Sequence, residues 1–211
     1  MTVEVLPQFV ATTWLLAMLP GVGQALMLRQ TLADGPRVAA ATICGTATGL
    51  VIWSAAAGAG LSAALLADET VYRALLLAGG SILVGIGART IWSARPRSAV
   101  VATNPVEQAP RTTLGTSGRA AYLVGLATNL GNPKAGVFAI SLLPAFAGVG
   151  FLPTVGFGIV WAVVTACWYL LFVLLVAGGR TFMTRPGAQR ALSGVSGLVL
   201  IGVGISVAAG A

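Results

Sequence analysis

Asn132-Pro133-Lys134 lies in the middle of the long apolar run 119–147, and each of the three residues has chemistry that its neighbours lack. Proline offers no N–H and fixes φ near −65°, so it breaks a helix and suits the first position of a new one. Asparagine immediately before it is a strong N-cap type. A half-helix starting at Pro133 has unsatisfied N–H groups and a partial positive charge at its N-terminus. Lys134 adds a full cation on that first turn, the wrong sign for helix stability, and a substrate carboxylate is the natural compensating anion. With about 15 residues on either side, roughly 22 Å of helix rise separates Lys134 from each end of the run. Snorkelling does not cover that distance, so the ammonium needs a partner or a wet cavity. The competing reading is that Lys134 pairs with nearby carbonyls and Asn-Pro makes a packing kink.

A second break lies in the first apolar run, at Pro20-Gly21-Val22-Gly23-Gln24. Its exposed carbonyls and the Gln24 amide can hold the polar groups of a substrate. A packing kink, with Thr12 and Thr13 bonding back to their own helix, is the alternative. Asn129, about one turn before the Asn-Pro break, joins the same set, although an interhelical hydrogen bond explains it nearly as well. The candidate substrate-binding residues are therefore Pro20, Gly21, Gly23, Gln24, Asn129, Asn132, Pro133 and Lys134.

The elements that must position them are membrane spans. The chain has 211 residues, 57% hydrophobic and 8% charged, with mean hydropathy +0.93. A soluble domain carries about 25% charged residues, so this is an integral, all-α membrane protein. Six runs are long enough to cross: 6–28, 38–67, 71–94, 119–147, 152–177 and 191–211. Its 28 glycines suit close helix packing in lipid, and Gly45-x-x-x-Gly49 reads as a packing face. Trp92 suits an interfacial anchor, and Trp161 and Trp168 suit packing. Asp34-Gly35 is a turn signal.

The net charge of +7 does not indicate nucleic acid, because the basic residues sit in short loops between apolar runs. Ten of the twelve fall in or beside the first, third and fifth loops, from Arg29 and Arg37 through to Arg190. Those loops are therefore cytoplasmic and both termini lie outside. The N-terminus lacks a basic n-region, so the first run is expected to remain as a span. Residues 95–118, rich in Pro, Thr and Ser, form a flexible cytoplasmic linker between two three-span halves, 1–94 and 119–211. Three is odd, so the halves face in opposite directions, and the breaks fall in the first span of each. Interrupted segments at corresponding places in two inverted halves point to a transporter's binding site.

These residues carry a family resemblance over nearly the whole chain. Asn132-Pro133-Lys134-Ala135, Phe138 and Leu143-Pro144-Ala145-Phe146 resemble the "NPKA…F…LPxF" stretch of the LysE/RhtB family of bacterial amino-acid exporters. Pro20-Gly21, then Leu28-Arg29-Gln30-Thr31-Leu32, Gly35 and Arg37, are similar to its "PGP…lr.sl..Gr" segment. Gly45, Gly49, Gly60-Leu61, Gly197 and Gly204 fit its glycine pattern. Two places depart from it. Val22 and Gly23 stand where the family usually has Pro followed by Asn or Asp, and Gly79-Gly80-Ser81-Ile82-Leu83 replaces an aromatic "GaaYL" stretch. The resemblance implies a secondary transporter in the bacterial inner membrane that exports an amino acid or related small metabolite, driven by an ion or proton gradient.

No enzyme chemistry is expected, and no cofactor. Two cysteines and no histidine are too few ligands for a zinc site. No acidic residue lies well inside a span, so proton coupling would fall to a rim carboxylate, the substrate or Lys134. Two other functions fit the chain less well. One is a thiol-disulfide electron carrier using Cys44 and Cys167, neither of which lies beside a Pro break or a basic residue. The other is a small-solute channel. The expected partners are lipid and a small-molecule substrate, and the small-residue faces permit a homodimer.

Overall fold

The computed structural model describes residues 5–19, 21–94, 117–148, 150–178 and 185–209. All the regular structure among them is helical: α1 (Val5–Met18), α2 (Val22–Asp34), α3 (Pro36–Ala67), α4 (Glu69–Ala94), α5 (Gly118–Leu130), α6 (Pro133–Ala147), α7 (Phe151–Ala177) and α8 (Pro186–Ala209). Pro20 and almost all of the 95–118 linker lie outside the described residues.

Local chemistry sets the boundaries. α2 meets α3 at Gly35 alone, whose φ of 87° is a left-handed conformation that side chains disfavour. Pro36 then takes the first helical position. Asp68 separates α3 from α4, and its carboxylate accepts the Thr70 N–H at 2.6 Å, which holds its pKa below the usual carboxylate value. Ser117 caps α5 by accepting the Ala120 N–H. Gly148, at φ 69°, ends α6.

Both expected breaks are present. α1 and α2 are bent by 61° across the first, and Gly131-Asn132 separates α5 from α6 at the second. Pro36–Gly60 within α3 and the whole of α7 are long and apolar enough to cross a bilayer on their own, and the bent α1–α2 pair is long and apolar enough if its two helices count as one span. The first loop is shorter than the charge pattern predicts. Arg29 lies inside α2 and Arg37 on the first turn of α3, because Gln30 and Thr31 are buried and hold α2 in helix as far as Asp34.

The core sits where α1, α6 and α7 meet. Phe9 packs edge-on against Phe146 and Phe157, and Phe138 lies against Trp161 with ring centroids 4.7 Å apart. Trp168 is buried against Trp14. Glycines set the closest crossings. Gly45 and Gly49 on α3 approach the Tyr122 carbonyl and the Asn129 side chain of α5, and Gly125 approaches the Thr42 carbonyl in return. Thr42 adds a bridge at this crossing: its hydroxyl lies within hydrogen-bond distance of Gln30 Oε1 on α2 and of the Ala121 carbonyl on α5. α4 and α8 meet glycine to glycine, at Gly80 with Gly204 and Gly87 with Gly197. Trp92 is largely exposed.

Candidate functional site

The two breaks end their helices in different ways. At the first, the last carbonyls of α1 lack intrahelical partners. Gln24, buried on the first turn of α2, reaches back and donates from Nε2 to the Met18 carbonyl at 3.1 Å. The Gln24 amide is thus engaged in joining the two half-helices. Gly21 provides the extended residue between them, and its lack of a side chain leaves the N-terminus of α2 without a side-chain cap.

At the second break, Gly131 N–H bonds to the Ala127 carbonyl and Asn132 N–H to the Asn129 carbonyl. Trp53 Nε1 donates to that same Asn129 carbonyl at 3.3 Å. Asn132 then caps α6: its Oδ1 accepts the Lys134 N–H at 3.1 Å, and its carbonyl accepts from Ala135 and Gly136. Pro133 has no N–H to leave over. The expectation of free N–H groups at this end is therefore not met, because the capping residue takes the first-turn donors itself. What this end offers a ligand is the Lys134 ammonium and the amide nitrogen of Asn132.

Both breaks open on one cavity of about 210 Å³. Gly21 and Gly23 line it from the first break, and Asn129, Asn132 and Lys134 from the second. Gln24 lies behind the wall. Pro133 begins α6, and Pro20 lies outside the described residues. No carboxylate lines the cavity, and the Lys134 ammonium has no hydrogen bond or ion pair among the described residues. A cation in such a place calls for an anion.

The cavity also includes residues that the sequence reading passed over or, for Trp161, assigned to packing. Thr46 of α3 and Thr165 and Tyr169 of α7 bring hydroxyls to the wall, and Trp161 brings an aromatic face. Thr12, Thr13, Thr31 and Thr48 do bond back to their own helices, and in the sequence nothing separates a wall threonine from those. Tyr169 lies where a side chain on Gly23 would begin. Cys44 and Cys167 are free thiols on exposed helix faces, and neither lines the cavity.

Gln24→Ala leaves the Met18 carbonyl unsatisfied and is expected to destabilise the protein by about 1–3 kcal/mol. The measurement is thermal melting in detergent. An unaltered melting temperature would show that this bond does not hold the two half-helices together.

The sequence matches a family described as LysE type translocator over residues 14–210. It is similar to the threonine efflux protein of Escherichia coli (strain K12), with 28% identity over 193 residues, 89% of each chain. The threonine efflux protein of Salmonella typhi shows 26% identity over the same shares. A membrane protein of Bacillus subtilis (strain 168), YrhP, shows 21% identity over 90% of this chain and 92% of its own. No solved structure shows a significant match.

Proposed function

The chain belongs to the LysE type translocator family, a family of transporters rather than enzymes, and from that premise we propose that it exports an amino acid or related small metabolite through the cavity between its two broken helices. The observation that carries this reading is Lys134. It is an unpaired cation on a cavity wall that residues from both breaks build. Gly21, Gly23, Asn129 and Asn132 complete the binding wall. Pro133 and Gln24 shape the breaks, and Pro20 falls at the first of them in the sequence. The similarity to threonine efflux proteins supports a substrate of amino-acid size.

The proposed architecture is six spans in two inverted halves, 1–94 and 119–211, joined by a cytoplasmic linker at 95–118. Both termini lie outside, in the bacterial inner membrane. The packing supports it. α3 rests on α6 as its counterpart α7 rests on α2, α2 rests on α3 as α6 rests on α7, and the counterparts α4 and α8 pack on each other. Alternating access then follows from one half rocking against the other around a fixed site. Export draws on an ion or proton gradient, and the small-residue faces allow two copies to pair in the membrane.

The test uses proteoliposomes loaded with labelled amino acids, assayed with and without an imposed proton or sodium gradient. The expected result is saturable, gradient-stimulated efflux of one or a few amino acids. Flux far above carrier rates would support a channel, and no amino-acid efflux under any gradient would remove the reading. Reporter fusions at both ends and at 95–118 check the orientation separately.

A further inference from the structure

Of the two broken helices, α2 is the one whose N-terminus stays open toward the cavity. α6 is closed by Asn132, as described above. In α2, Ala25 N–H bonds to the Gly21 carbonyl at 2.9 Å. The donors ahead of it, on Val22 and Gly23, have no acceptor among the described residues, and no side chain caps the helix. Both residues line the cavity. Two adjacent N–H groups at the positive end of a 13-residue helix form an anion-binding end. The Tyr169 hydroxyl lies at the same end, in the space that Gly23 leaves, and has no hydrogen-bond partner among the described residues.

A second observation, independent of the helix end, points to a ligand of mixed charge. Asn129 is 8% exposed and Thr165 6%, yet Asn129 Oδ1 and Thr165 Oγ1 have no partner. Buried polar atoms are nearly always paired. Both residues line the same cavity; Asn129 Oδ1 lies against Gly49 of α3, which leaves the Thr165 hydroxyl as the orphaned acceptor that an incoming donor would satisfy. Donors at the α2 end and the acceptor at Thr165 together complement a zwitterion.

The geometry points to a division of the site, and this division rests on the reading that the cavity is the transport site. The substrate's carboxylate is held by the Val22 and Gly23 N–H groups, with the Tyr169 hydroxyl donating and Lys134 supplying the counter-charge. Its ammonium group donates to Thr165 Oγ1. The carboxylate thus sits on the first break, and the second break contributes charge rather than backbone donors.

Val22→Pro tests the assignment directly. It removes one of the donors, and proline is favoured at the first position of a helix, so the fold is retained. Full-length protein in lipid nanodiscs is screened with the twenty L-amino acids by thermal stabilisation. The strongest binder is then compared with its carboxamide and its N-acetyl derivative. The expected wild-type preference for acid over carboxamide is about tenfold or more, and Val22→Pro reduces it several-fold with little change in unliganded melting. Thr165→Val keeps the acid preference and loses that for the free amine over the N-acetyl form. An undiminished acid preference in Val22→Pro overturns the division while leaving the transport site standing. If Val22→Pro fails to fold, Tyr169→Phe carries the same comparison, and an unchanged acid preference there overturns it equally. Failure of every amino acid to stabilise the wild type overturns the transport-site reading, and the division with it.

Discussion

Lys134→Ala is expected to lower efflux by about 10- to 150-fold while raising the melting temperature. The two effects have one cause. The ammonium has no partner among the described residues, so on the proposed six-span arrangement it is, in the unliganded protein, an uncompensated charge at membrane depth. Such a group costs about 2.5–3.5 kcal/mol at the centre of a span on insertion scales. Cavity hydration recovers part of that, so its removal is expected to add about 1–2 kcal/mol, a few degrees for a chain of this size. The same ammonium gains its partner when the substrate's acid group arrives. A hydrogen bond to a charged group contributes about 1.5–3 kcal/mol, which gives the predicted fold-loss. Stability and function therefore move in opposite directions at this residue, as they do where a protein holds a strained group for its task. The checks are efflux from proteoliposomes and thermal melting of the same preparation. Unchanged efflux, or a lower melting temperature, removes Lys134 from the binding role.

Gly125→Ala is expected to destabilise the protein by about 1–3 kcal/mol or more, the range for overpacking a tight contact. Its methyl would meet the Thr42 carbonyl of α3, just as a methyl at Gly45 would meet the Tyr122 carbonyl of α5. Both obstacles are backbone, so no rotamer change relieves the clash and the helices must separate. Separation also lengthens the contact between the Thr42 hydroxyl and the Ala121 carbonyl, now 3.0 Å. Gly156→Ala is the control. A side chain there meets nothing within 4 Å, and alanine is the better helix former by about 0.8–1.0 kcal/mol. Detergent melting should therefore move in opposite directions for the two variants, although each adds the same methyl. Equal shifts would show that helix propensity, not the crossing, governs both positions. Gly45→Ala combined with Gly125→Ala should cost less than the sum of the two, because one separation relieves both contacts.

The sequence revealed most where the instruction is written in the backbone. Pro20-Gly21 and Asn132-Pro133 cannot continue a helix, and both breaks lie where those residues put them. The Asp34-Gly35 turn and the packing role of Trp168 were equally legible, whereas Trp161 packs on Phe138 and also lines the cavity. Charge was a weaker guide: Arg29 suggested a loop, yet its neighbours Gln30 and Thr31 are buried and keep α2 helical. The site was legible in part. Lys134, Asn132, Asn129, Gly21 and Gly23 announce themselves by type and spacing, and all line the cavity. Asn132 was legible as a cap, but not that its cap would use the donors expected to face a substrate. Tyr169 and Thr165 were invisible, because their place on the wall depends on how α7 crosses the two breaks.

The single-residue joint at Gly35 has a mechanical consequence. α2 runs from the cavity to that joint, about 20 Å at helical rise, and is tied to α3 by the contact between Thr42 and Gln30. With no slack between them, the pair behaves as a crank. A tilt of α3 would therefore carry the far tip of α2 with it, and with that tip Gly23 and Val22 on the cavity wall.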